Sequence, residues 1–123
     1  MTNVAHHEPE NQLVLAELAR IIRPGGRLIV IETVPEDKTE EALEITFLND
    51  YFYNRILHCA DIAVPGTYET LEGWIGRFDD VGFELDLLED VDDPLLRESN
   101  PFPLGYDQPT IRDLHALYVF RRK

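Results

Sequence analysis

The stretch Leu15-Ala16-Glu17-Leu18-Ala19-Arg20-Ile21-Ile22-Arg23-Pro24-Gly25-Gly26-Arg27-Leu28-Ile29-Val30-Ile31-Glu32-Thr33 decides the fold. Upstream of the proline, Leu13, Val14, Ala16, Leu18, Ile21 and Ile22 recur at three- and four-residue spacing, which predicts an amphipathic helix over residues 10–22. Glu8 and Glu10 stand near its start and Arg20 and Arg23 near its end, where the helix dipole favours each sign. Pro24 cannot continue the helix, and Gly25-Gly26 allow the positive backbone angles of a tight turn. Leu28 to Ile31 then form an unbroken aliphatic run, which predicts a strand buried on both faces, as in a parallel sheet between helical layers. Helix, glycine turn and buried strand make half of a βαβ unit.

Downstream, residues 38–58 read as a longer helix with an aromatic-rich face that includes Phe47, Tyr51 and Phe52. Residues 61–66 carry turn chemistry, and Thr70 is placed to cap a helix running to about Asp80. Gly82 ends that helix, and Phe83 to Leu87 alternate as a half-exposed strand. Residues 92–110 hold four prolines and Gly105 and predict an irregular binding or docking loop, with one helical turn at Leu95–Arg97. Residues 114–121 predict a final strand.

A length of 123 residues suits a single domain spanning residues 1–123. The formal net charge is -13, and Lys38 and Lys123 are the two lysines, so direct binding of nucleic acid by this chain alone is not expected. Such an acidic surface also suits a high-salt cytoplasm. The N-terminus has no basic stretch followed by an apolar one, and the single cysteine, Cys59, fits a reducing compartment; a cytoplasmic location without membrane insertion is expected.

With His6-His7 ahead of it, the stretch from Leu15 to Val30 resembles class I (Rossmann-like) S-adenosylmethionine-dependent methyltransferases. In that family a strand ends near a His-His pair, and a helix leads through Pro-Gly-Gly into the fifth strand. Trp74 to Phe83 resembles the helix and Gly-Phe entry of the sixth strand, and Leu117 to Arg122 the antiparallel seventh. The resemblance implies an α/β fold, a partial Rossmann-like three-layer sandwich built on strands equivalent to the fifth, sixth and seventh. It implies a C-terminal half. The family's cofactor site is a glycine-rich loop after the first strand with an acidic residue after the second, and neither has a counterpart here. S-adenosylmethionine is therefore expected only in a completed enzyme, and no core cofactor-binding residue is assigned.

Without a fourth strand, the edge of residues 28–31 is left unpaired, which predicts self-association or a second polypeptide at that edge. His6 and His7 fall where the family's fourth strand meets the active-site rim, although a pair so near the N-terminus also reads as a mobile tail. Glu32 ends the buried strand, where open α/β sheets bind ligands, and is the leading substrate-side candidate. Tyr53, Asn54 and Arg55, beside Asp50 and Tyr51, are candidate acceptor contacts, because the resemblance places an acceptor-shaping insertion there. Tyr106 and Asp107 are weaker candidates in the long loop. His58, Cys59 and Asp61 match no metal-ligand spacing, so no metal is expected, and His115 reads as a satisfied, half-buried strand histidine. No catalytic residue is assigned, since methyl transfer asks mainly for positioning. Two functions follow: the acceptor-side half of a methyltransferase, or a non-catalytic methyltransferase-derived structural subunit of a larger assembly.

Overall fold

The computed structural model describes residue 1 and residues 5–35, 37–57, 59, 61–90 and 114–123. A 3-10 turn, Ala5–His7, precedes α1 (Asn11–Ile21), β1 (Arg27–Val34), α2 (Glu40–Tyr51), α3 (Leu71–Asp80), β2 (Phe83–Asp90) and β3 (Leu114–Arg122). The three strands form one sheet in the order β1-β3-β2. The last strand of the chain runs antiparallel between the other two, with Val30 opposite Tyr118 and Phe83 opposite Arg122, and a bulge between Leu85 and Leu87. The fold is α/β, a three-stranded antiparallel sheet with flanking helices.

The predicted breaks fall where the chemistry puts them. Gly25 has φ +76° at the turn after α1, and its amide donates to the Arg122 carbonyl while the Arg122 amide donates back to Gly26. The Pro24-Gly25-Gly26 turn is thus stitched to the end of β3. Gly82 has φ +90°, and the space a Cβ would need is filled by the Arg122 guanidinium. That guanidinium donates to the Gly82 and Ala19 carbonyls and lies 5.8 Å from the centre of the Phe83 ring, so one side chain caps α1 and closes the turn after α3. Thr70 caps α3 by accepting from the Gly73 amide. The helix predicted over 38–58 divides: α2 ends at Tyr51 and passes into a π-helical turn, Phe52–Leu57, in which the chain winds wider than the 3.6-residue period assumes.

Leu15 and Ala19 of α1, Trp74 and Phe78 of α3, Val30 and Val34 of β1, and Ala116, Tyr118 and Phe120 of β3 form the core with Phe83. Phe78 stacks on Phe120 at 4.2 Å between ring centres. One face of the sheet carries this core. The opposite face does not have it: Ile29 is 56% and Leu87 45% exposed. The expectation that Leu28 to Ile31 are buried on both faces is therefore corrected. The strand alternates, and its apolar run covers one packed face and one open one. Nor is β1 a central parallel strand; it lies at the sheet edge and pairs antiparallel with β3. On its outer edge Met1 donates to the Ile29 carbonyl and accepts from the Ile31 amide, both at 2.9 Å. That is the hydrogen-bond pattern of a parallel bridge. Among the described residues no helix is long and apolar enough to cross a membrane.

Glu69 ties the helices together. Its carboxylate accepts from Arg77 (2.8 and 2.5 Å) and meets Lys38 at 2.5 Å, while Arg77 also donates to Asn11 at 3.0 Å. Burial pushes the Glu69 carboxyl upward, but Lys38 and Arg77 outweigh it and hold the group below its ordinary range. A lowered folded-state pKa gives stability that is present above the ordinary value and lost as pH falls through the folded one. Glu69→Gln should cost about 1 kcal/mol at pH 7, and urea denaturation should show the gap to wild type closing at acid pH.

Candidate functional site

The site is built on the carboxylate of Glu32, on the packed face of β1 between Val30 and Val34. Its side chain is fully buried. A buried carboxylate needs hydrogen bonds and a countercharge. Oε1 accepts from the Ala5 amide at 2.9 Å, and Oε2 from Nδ1 of His6 at 2.6 Å. These two bonds seat the 3-10 turn Ala5–His7 against the sheet. His6 is 2% exposed, so the mobile-tail reading fails for it. Thr67 secures the same turn by donating to the His6 carbonyl at 2.6 Å.

The other ring nitrogen of His6, Nε2, faces Oδ2 of Asp50 on α2 at 3.6 Å. Burial alone would lower the His6 pKa, but Asp50 and Glu32 together raise it to about 9. At neutral pH an imidazolium therefore lies between two carboxylates. His7 reaches Asp50 from beside it, with Nε2 3.6 Å from Oδ1. Nδ1 of His7 lies 2.9 Å from the Ala63 carbonyl, which can only accept, so Nδ1 carries the proton. Asp50 is held by the Tyr68 hydroxyl, which donates to Oδ2 at 2.6 Å, and by Asn54, which donates to Oδ1 at 2.6 Å. Burial pushes the Asp50 carboxyl upward, and His6 and Tyr68 pull it below its ordinary range. The two imidazole rings lie 4.3 Å apart, with Tyr68 5.4 Å from His6. In the neighbouring core, the Tyr118 hydroxyl and the Trp74 indole N–H are buried with no hydrogen-bond partner among the described residues. Burial, then the charges of Glu32 and Glu72, push the Tyr118 phenol upward.

Among the residues expected from the sequence, His6, His7 and Glu32 come together, and Asn54 joins them through Asp50. Arg55 does not. It pairs with exposed Asp61 at 2.8 Å. The side chain of Tyr53, and His58, Tyr106 and Asp107, lie outside the described residues. Cys59 is exposed and its thiol donates to the Ile56 carbonyl. His115 is half-buried and lies 3.3 Å from the Thr33 hydroxyl, as a satisfied strand histidine should. The roles of Tyr68, Thr67 and the Ala63 carbonyl were not signalled, because nothing in local spacing links them to His6 or His7.

Solved structures supply the comparison. The chain superposes on a candidate methyltransferase from Bacillus halodurans C-125 with a TM-score of 0.64 at 15% identity, covering 98% of this chain and 61% of that one. It superposes on LepI, solved with SAH and a substrate analogue, with a TM-score of 0.57 at 16% identity, covering 99% of this chain and 25% of that one. An arsenic(III) S-adenosylmethionine methyltransferase from Chlamydomonas reinhardtii gives 0.53 at 16% identity, with 98% and 35% covered. The likeness is one of fold: the chain shares the α/β fold of part of each of these structures. The chain spans between a quarter and two thirds of the length of these structures. No family model and no curated protein matches it.

Removing one member of a buried ion pair leaves the other uncompensated. Glu32→Ala should cost about 3 to 5 kcal/mol, with Glu32→Gln milder because it keeps an acceptor for the Ala5 amide. Equal thermal stability of both variants and the wild type would show that the pair does not hold the N-terminal turn.

Proposed function

We propose that this chain is the acceptor-side half of an S-adenosylmethionine-dependent methyltransferase, completed by a cofactor-binding half that pairs along the outer edge of β1. The observation that carries this reading is the sheet: the order β1-β3-β2, with the last strand antiparallel between the others and Met1 bridged in the parallel sense to the outer edge. A polar cluster stands at the end of β1 where α/β sheets take their ligands.

The residues described here do not fit the cofactor itself. Gly26, immediately before β1, has Arg23 O and Ile22 Cγ2 at 2.8 Å from where its Cβ would be, so its open side is filled by the chain that follows α1 and not by a ligand. No step is therefore routed through the cofactor on this chain. What the chain supplies is an acceptor surface in which His6, His7 and Asp50 are fixed in orientation before anything binds. Their charge, with Asn54 and Tyr68 beside them, suits a polar acceptor over an apolar one. This reading carries a cytoplasmic location and self-association or a second polypeptide at the β1 edge.

Calorimetric titration with S-adenosylmethionine tests it. The chain alone should show no binding, and the assembly purified on a tagged copy of the chain should bind in the micromolar range. Micromolar binding by the chain alone would refute the division into halves. No binding by any assembly would leave the non-catalytic structural subunit as the function. In parallel, light scattering should find the isolated chain associating with itself or with a co-purifying polypeptide. A monodisperse monomer with no co-purifying chain contradicts pairing at the edge.

A further inference from the structure

We propose that His6, His7 and Asp50 form a binding site for a divalent transition-metal cation of zinc-like preference, with one coordination position open. The proposal stands apart from the methyltransferase reading and needs only the local geometry.

The ligand atoms converge. One ring nitrogen of His6, one of His7 and a carboxylate oxygen of Asp50 all lie within 4.8 Å of one another. Nε2 of His6 is 3.6 Å from Oδ2 of Asp50, and Nε2 of His7 is 3.6 Å from Oδ1. That is too long for a good hydrogen bond. Atoms bound about 2.0 to 2.1 Å from a tetrahedral zinc stand roughly 3.3 to 3.4 Å apart, so the three side chains would draw inward around a bound ion.

The second layer is also in place. A histidine that binds a metal gives its other ring N–H to a carboxylate or a backbone carbonyl, which fixes the ring and its tautomer. His6 gives Nδ1 to Glu32 at 2.6 Å, and His7 gives Nδ1 to the Ala63 carbonyl at 2.9 Å. Ligating carboxylates are themselves hydrogen-bonded, and Asp50 receives Tyr68 on one oxygen and Asn54 on the other, both at 2.6 Å. Each oxygen keeps a further lone pair for a cation. All three candidate ligands are thus held by hydrogen bonds to partners outside the set.

Charge balance favours the exchange. The cation takes the place of the His6 Nε2 proton, and the carboxylates of Glu32 and Asp50 then offset its two positive charges. Two imidazoles and one carboxylate suit zinc, cobalt or iron over magnesium or calcium. Three protein ligands leave a position for water or a polar acceptor, as catalytic zinc sites do, and His7, the least buried of the set, marks the side of entry. The spacing rules applied to the sequence miss the site because Asp50 comes from α2, far along the chain from His6 and His7.

The test uses cobalt(II) as the probe on the full chain after dialysis against a chelator. Saturable binding of a single cobalt ion per chain is expected, with the visible bands of a four-coordinate site. His7→Ala and Asp50→Asn should each abolish those bands, with circular dichroism confirming that both variants fold. Glu32→Gln, which weakens the support of His6, should keep the bands but lower affinity by about 10- to 100-fold. Zinc should displace cobalt, and magnesium should not. Absence of saturable binding by the wild-type chain, or equal binding by His7→Ala and Asp50→Asn, would overturn the proposal. The second outcome would place the ion elsewhere.

Discussion

A carboxylate inside the packed face of a sheet is the constraint on which the rest of this structure depends. Isolated in the core, Glu32 would cost several kcal/mol or would give up its charge. It is kept by the Ala5 amide and the His6 ring, neither of which is part of the sheet or of a long helix. The three-residue turn Ala5–His7 has no hydrophobic payload comparable to α1 or α3. It is held because β1 requires partners for one side chain. His6, oriented through Nδ1, then presents Nε2 to α2, and Asp50 receives it with the help of Tyr68 and Asn54. A single buried charge thereby propagates from the sheet through the N-terminal turn to the second helix.

Much of this architecture is legible in the sequence because it is local. The Pro24-Gly25-Gly26 break, the Thr70 cap and the Gly82 turn each rest on backbone chemistry confined to a few residues, and each falls where that chemistry places it. The antiparallel sense of the last strand follows from the resemblance, and its place between the other two comes from the structure. The aliphatic run Leu28 to Ile31 misled because four such residues in succession have no period. Which of them face the core is decided by α1 and α3, and the chain offers nothing described to cover the other side of Ile29. The end of α2 at Tyr51 was hidden for a similar reason: an aromatic-rich segment satisfies a helical pattern whether or not the helix widens into a π turn.

The candidate site divides along the same line. Glu32 was legible from its position at a strand end, and His6 and His7 from the resemblance around them. Their meeting with Asp50 was not, since a contact made by folding one element over another leaves no spacing to read. Arg55 shows the converse. Its place beside Asn54 in sequence suggested a shared role, yet one step along the wound chain turns it to Asp61 on the surface. The two faces of the sheet add a further asymmetry. One carries aromatic rings in contact, and the other carries Ile29 and Leu87 beside Arg27, Asp86 and Arg121, joined by ion pairs across three strands. Charged side chains on an open sheet face limit indiscriminate stacking.

The Arg122 guanidinium lies in the volume that a side chain at position 82 would occupy, and it also caps the carbonyl of Ala19. Position 82 is therefore closed to a side chain twice over, by its left-handed backbone and by the arginine that fills the space beside it. Shortening Arg122 would lift only the second restriction and would leave the Ala19 carbonyl without its cap.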